Sequence, residues 1–368
     1  MKSTWSLILA SLLIGAGCGG AESADDESDG AIGAAAQAVS GKNLFNSGKF
    51  GGNGRTCLTC HGEATGTFSL AEAQDRFDAD PTDPLFRPID SDDGTGASYH
   101  RLLDHGTVFV TIPLPTGVTL ADDPSATSVR LERTIPSTLD RPALDPVLMW
   151  DGRAATLQDQ ALGAIRGHAQ ATETPSADNL TRIAEYEKTL FSSKQLKKYA
   201  DGGPAPAMPE GITASEKRGR LFFLDIPFSP PSLHGFCASC HSGPLFDTTN
   251  QFNPVQPAGL RFSTALVSEV NLRNVAPRTF LFPVPGGVVP VPTPDPGRGL
   301  ITGNIADANL FKIGTLWNIK NTAPYFHDGS AKTLEDVMVQ YQIFAQTFTG
   351  LQFTPQETSD IIAYLKVL

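Results

Sequence analysis

Cys57-Leu58-Thr59-Cys60-His61 and Cys237-Ala238-Ser239-Cys240-His241 constrain this chain more than any other feature. Each is a C-x-x-C-H sequence, the attachment signature of a c-type haem. Two thioether bonds from the cysteines hold the porphyrin edge, and the histidine that follows is placed to ligate the iron from one side. Paired cysteines also suit a four-cysteine zinc site or thioredoxin-like redox pairs. Neither explains a histidine directly after both pairs. The pattern predicts two covalently bound haem c groups, on Cys57 and Cys60 and on Cys237 and Cys240, with His61 and His241 as iron ligands.

A chain of 368 residues, 40% of them hydrophobic, is comfortable as two domains with a sizeable core. Its formal charge of -11 argues against nucleic acid and anionic lipid as partners, and suits a basic redox donor. Lys2 and the apolar run from Trp5 to Ala16 read as a signal peptide over residues 1–17, too short to span a bilayer comfortably. Gly15-Ala16-Gly17-Cys18 resembles a bacterial lipoprotein cleavage site, and Cys18 is the odd one of five cysteines. A lipid anchor on Cys18 is the membrane contact this implies; ordinary cleavage after Ala36-Gln37-Ala38 is the rival. Both readings export the chain, to the periplasm or to a bacterial membrane surface. Residues 18–40 are Gly, Ala, Ser and acid, a composition for a flexible tether.

The first module should run over 41–200. Gly41 to Phe45 reads as a short helix, Gly51, Gly52 and Gly54 permit tight turns before the first motif, and Ser69 to Phe77 as a further helix. Asp80 to Ala97 is rich in Asp, Pro and Gly and reads as a surface loop. His100 and His105 follow; either could reach the open face of the first haem. Thr107 to Ile112 is strand-like, and Ser176 to Ala200 reads as one amphipathic helix. Asp201 to Gly211 breaks regular structure, so 201–212 is the expected linker.

The second module should cover 213–368. Thr213 to Phe223 reads as its opening helix, and Asn253 to Gly299 as proline-rich and mostly irregular. Leu334, Val337, Met338 and Tyr341 fall at i, i+3, i+4 and i+7 and share a helix face. Thr354, Pro355 and Glu357 form a capping-box start for a closing helix with Ile361, Ile362, Leu365 and Leu368 as its stripe.

Met149-Trp150-Asp151-Gly152-Arg153-Ala154-Ala155 and Leu316 to Gly329, with Pro324-Tyr325-Phe326-His327-Asp328-Gly329, complete a pattern flanked by the two C-x-x-C-H motifs. Together they resemble the bacterial di-haem cytochrome c peroxidase superfamily, which includes the enzyme that matures methylamine dehydrogenase. The resemblance covers about 41–368 in the family's order. It implies a mainly α fold of two cytochrome c-like domains, each with one covalent c-type haem, and long irregular loops. It also implies that Trp150 lies between the haems on the electron path; the plain reading of Trp150, a large core aromatic, fits the same position.

The chain departs from the family in three places. The peroxidases carry a glutamate about twenty residues after that tryptophan, and the gapless count lands on Gln170. Glutamine can hydrogen-bond peroxide but cannot shuttle its proton. His168 stands two residues earlier, with pocket base, axial ligand and surface histidine as open readings. Thr134 replaces an asparagine the family uses near its inter-domain calcium, so calcium is in doubt. Where the family commonly has a methionine ligand for the second haem, the count gives Tyr341, as in the maturing enzyme, with Met338 one turn earlier as rival. A thioether ligand raises a haem's potential and a phenolate lowers it.

The resemblance implies an exported oxidoreductase that reduces hydrogen peroxide at the first haem. Its electrons would come from a small donor such as a cytochrome c or cupredoxin, through the second haem and past Trp150. An electron-transfer cytochrome without a substrate site is one rival. A high-valent di-haem oxidase of a protein or organic substrate is the other.

Overall fold

The computed structural model describes residues 40–225 and 234–368. The expected signal peptide, Cys18 and the tether up to residue 39 lie outside them. Among the described residues no helix is long and apolar enough to cross a membrane.

Two crossed helix pairs frame the molecule, and each is seated on a glycine. The helix over 40–47 crosses Ala177–Glu187 at Gly41, where an added Cβ would collide with the Arg182 carbonyl and stand 2.8 Å from Tyr186 Cβ. Ala214–Leu224 crosses Pro355–Leu365 in the same way. A Cβ on Gly219 would collide with the Asp360 carbonyl and stand 2.7 Å from Tyr364 Cβ. In both pairs the carbonyl lies four residues before the tyrosine. Only glycine lets the backbones approach this closely. Phe45, Ile165, Leu180 and Ile183 fill the space behind the first pair, and Phe222, Phe223, Leu334 and Ile361 behind the second.

The helices form where side chains satisfy their first N–H groups. Ser69, Thr156, Ser176, Ser193, Thr213, Thr333 and Thr354 each accept a hydrogen bond from the amide three residues on. Each such cap stabilises its helix by about 1 kcal/mol. The expected capping box at Thr354 is present, and the structure adds capping boxes at Thr213 and Thr333. The single helix expected over 176–200 is instead two, Ala177–Glu187 and Lys194–Ala200. Ser193 caps the second, and Ser192 turns away to donate to Asp140 Oδ2 at 2.6 Å.

The strand expected at Thr107 to Ile112 runs Thr107–Pro113 and pairs antiparallel with Ser128–Thr134. Asn253 to Gly299, expected to be mostly irregular, contains a hairpin, Arg278–Val284 with Gly287–Thr293. Pro285 and Gly286 make its two-residue turn, with Gly286 at φ +88°. Pro290 and Pro292 lie on the outer strand, where no further partner needs their missing N–H. Proline content therefore hid an edge strand. Thr119–Leu120 adds to the hairpin's other side, so this sheet joins residues from both halves of the sequence. Phe280 and Phe282 are fully buried beneath it among Val110, Leu120 and Leu131. Each such phenylalanine contributes about 1.5–3 kcal/mol by leaving water.

Candidate haem sites

Cys57–Cys60 is a single helical turn, and its backbone returns directly into His61. His61 Nδ1–H donates to the Gly66 carbonyl at 2.7 Å. The second motif repeats this: His241 Nδ1–H donates to the Phe246 carbonyl at 2.8 Å. In each case the acceptor is five residues on and holds a left-handed φ, +66° at Gly66 and +58° at Phe246. A ring fixed through Nδ1 presents Nε2 as its free ligating atom. Burial lowers the pKa of both imidazoles and favours the neutral, ligating form. All four cysteines are free of disulfides, and burial pushes the Cys237 thiol up to about 12.

The two motifs open into different cavities, so their cysteines do not gather into one four-sulfur site. The first cavity, about 720 Å³, is lined by Cys57, Cys60, His61, Trp150 and His168. The second, about 200 Å³, is lined by Cys237, Cys240, His241, Trp150, Met338 and Tyr341. Trp150 borders both. Its Nε1–H donates to the Thr134 carbonyl at 3.0 Å, and its own carbonyl accepts from the Lys312 amide at 2.8 Å. The indole is thereby tied to its own half of the chain, and the Trp150 backbone to the other half.

The wall around Trp150 is charged and buried. Arg133 is fully covered and forks onto Asp295, with Nε–Oδ2 at 2.7 Å and Nη2–Oδ1 at 2.9 Å, while Nη1 pairs with Asp151. Arg153 also reaches Asp151, at 3.1 Å. Burial works against the Asp151 carboxylate, but these guanidiniums hold its pKa below the usual range. Lys312 lines both cavities and donates to Asp145 and to the Val147 carbonyl. Arg141 also lines both, and its buried Nε has no hydrogen-bond partner among the described residues. A cationic donor left open on a shared wall suits the carboxylates that a haem carries. With the cysteine pairs and the fixed imidazoles, the residues present fit one covalent haem in each cavity.

Of the residues proposed for the open faces, the structure brings some together and separates others. Tyr341 lies across the second cavity from the motif, its hydroxyl 3.4 Å from His241 Nε2. Met338 lines the same cavity, without a hydrogen bond to that nitrogen. His168 lines the first cavity, and burial lowers its pKa to about 4. Gln170 does not line it. Its side chain is exposed, at φ +51°, and Oε1 accepts from Asn53 Nδ2 at 3.0 Å. The same Asn53 amide donates to the His168 carbonyl at 3.0 Å, which fixes this segment at the rim. His100 and His105, considered above for the first cavity, line neither cavity. They sit on the helix His100–His105, whose packing turns them elsewhere. Thr134 has direct protein partners: its hydroxyl donates to the Phe326 carbonyl at 2.8 Å and its amide to the His327 carbonyl at 2.7 Å. Among the described residues no cluster of three or more His, Cys, Asp or Glu could hold a separate metal ion.

Residues 35–200 match the family model described as di-haem cytochrome c peroxidase. The chain is 26% identical over 249 residues to a cytochrome c551 peroxidase of Nitrosomonas europaea, covering 60% of each chain. The first half of the chain is thus similar to the di-haem cytochrome c peroxidase family. It is also 28% identical over 250 residues to cytochrome c peroxidase Ccp of Escherichia coli K12, covering 60% of this chain and 44% of that one. Against the methylamine utilization protein MauG of Methylophilus methylotrophus it is 24% identical over 280 residues, covering 66% and 70%. The match thus spans three fifths or less of the two peroxidases' own length. Sequence reasoning missed the Nδ1 anchors at Gly66 and Phe246. Their signal is the fixed spacing of a carbonyl five residues after each motif histidine.

Proposed function

We propose that this chain is an exported di-haem oxidoreductase that reduces hydrogen peroxide at the first cavity with electrons relayed from the second past Trp150. One observation carries the reading: Trp150 borders both cavities while bonded to Thr134 and Lys312, from separate halves of the chain. The same reading takes 41–200 and 213–368 as cytochrome c-like domains joined by 201–212. It assigns haem attachment to Cys57, Cys60, Cys237 and Cys240, with His61 and His241 as proximal ligands.

Haem c, when attached, supplies one-electron redox chemistry and an iron that can bind peroxide. The protein supplies the rest. Turnover needs two electrons and two protons for each peroxide reduced to two waters. His168 stands in the first cavity as a neutral imidazole that can hydrogen-bond peroxide and pass a proton, although burial weakens it as a base. Gln170 lies off the cavity in this reading and serves with Asn53 to hold the His168 backbone. Arg141 and Lys312 answer the negative charge of the haem carboxylates at the shared wall. The donor would be a small, preferably basic, redox protein such as a cytochrome c or cupredoxin, drawn by the net charge of -11. Location would be the periplasm, free or anchored through lipid on Cys18.

A second reading has one observation in its favour. A tyrosine opposite His241 suits a low-potential second haem, which favours an oxidase of a protein or organic substrate.

Electron paramagnetic resonance on the di-haem protein, resting and half-reduced, with one equivalent of hydrogen peroxide, tests the proposal. The expected result is a high-spin ferric signal that peroxide consumes within the mixing time, and its loss of response in His168→Gln. Two low-spin signals that ignore peroxide in both redox states would overturn peroxide reduction and leave an electron carrier.

A further inference from the structure

Glu187 ends the helix that crosses 40–47, and it lines the first cavity. It is 4% exposed, and neither oxygen takes part in a hydrogen bond or ion pair among the described residues. The second module supplies an internal comparison. Gly41 packs on Tyr186 as Gly219 packs on Tyr364, so the residues after the tyrosines, Glu187 and Leu365, hold equivalent places. Leu365 lines the second cavity as Glu187 lines the first. An apolar side chain therefore satisfies this place structurally, yet the first module puts an acid there, at the cost of burying a polar group without a partner.

The surroundings isolate this acid. Lys42, on the crossing helix, pairs with Glu63 at 3.2 Å. Asp140 is bonded to Ser192, and Asp159 to Thr156. His61 gives its Nδ1 to Gly66, and Arg141 stands on the wall shared with the second cavity. Cys57 is the titratable group whose charge Glu187 influences: burial first, then the Glu187 carboxylate, pushes that thiol up. The carboxyl thus shares the first cavity's lining with the cysteine that would carry the haem, and burial alone raises its own pKa to about 8.

We propose that Glu187 is the proton partner of the first haem, taking up one proton when that haem gains an electron and releasing it when the electron leaves. The electron comes from the second haem, the proton from solvent, and the carboxylate becomes a carboxylic acid as ferric haem becomes ferrous. In low dielectric an ionised carboxylate favours the more positive, ferric state, and the neutral acid removes that preference. This rests on the first cavity being a haem site; it does not require peroxide as substrate.

The test is a spectroelectrochemical titration of both haems of the holoprotein between pH 6 and 10, in the native chain, Glu187→Gln and Glu187→Leu. The first-haem midpoint should fall with rising pH, by up to about 59 mV for each tenfold drop in proton concentration in a one-electron couple. Both variants should lose that slope, agree with the native chain at the acid end and lie above it at the alkaline end. The second haem, with Leu365 at this place, should not respond to either variant. A first-haem slope that survives in Glu187→Gln overturns the proposal while leaving the haem reading intact. A holoprotein with no haem on Cys57 and Cys60 overturns both. A slope abolished by the variants in a protein that ignores peroxide supports the proposal and removes only peroxide as substrate.

Discussion

Tyr341 and His241 stand a hundred residues apart in sequence and face each other across the second cavity, hydroxyl to Nε2 at 3.4 Å. Nδ1 of His241 is already committed to Phe246, so the nitrogen left free to ligate is the one that meets the hydroxyl. Burial pushes the Tyr341 hydroxyl up in the absence of an iron, so ionisation would depend on the metal's charge. Tyr341→Met should raise the second haem's midpoint by a sizeable part of the roughly 0.8 V that axial ligands span. Tyr341→Phe should open the iron and give a high-spin ferric signal. Met338→Leu should leave both readouts unchanged, and a spectrum altered by Met338→Leu alone would assign the ligand to Met338.

Trp150→Phe keeps an aromatic ring between the cavities but removes the donor to the Thr134 carbonyl. Stability should fall by about 1 kcal/mol for that lost bond. Stopped-flow spectroscopy should show slower re-reduction of the first centre after peroxide, with both midpoint potentials unchanged. An unchanged rate would mean that electrons bypass the indole.

Arg133 is held between Asp151 and Asp295, and all three are buried. Arg133→Met leaves two carboxylates without their shared cation and should cost about 3–5 kcal/mol in denaturant unfolding. The sign of its pH dependence follows from Asp151, whose folded pKa is lowered. That contribution is present above the unfolded value near 3.9 and is lost as pH falls through the lower folded value. The destabilisation caused by the variant should therefore be largest near neutral pH and shrink as pH falls through that range.

Gly219→Ala drives a methyl group into the Asp360 carbonyl at the helix crossing. The helices must part, at about 1–3 kcal/mol for overpacking. Thermal unfolding followed by circular dichroism measures it. The second haem's Soret band, reporting on the same module, should shift or broaden at temperatures where the first is unaffected.

What the sequence determined is what depends on neighbours a few residues apart. The two C-x-x-C-H motifs specify their own chemistry, and the Ser and Thr caps at Ser69, Thr213 and Thr354 specify where helices begin, because each acts over three to five positions. The motif order around Trp150 was enough to indicate the resemblance to the di-haem peroxidases. The proline-rich hairpin escaped, since proline at Pro290 and Pro292 opposes strand structure everywhere except at an edge, and edges are decided by what packs beyond them. Tertiary structure alone decided which side chains meet: His168 rather than Gln170 at the first cavity, Tyr341 opposite His241, Trp150 tied to Thr134 and Lys312. It also placed Glu187 in a wall where its counterpart is Leu365. The reason is physical. A cap or a covalent motif is complete within one turn of chain, whereas a cavity wall is assembled by helices and sheets whose approach is set by glycine contacts, buried rings and ion pairs far apart in sequence.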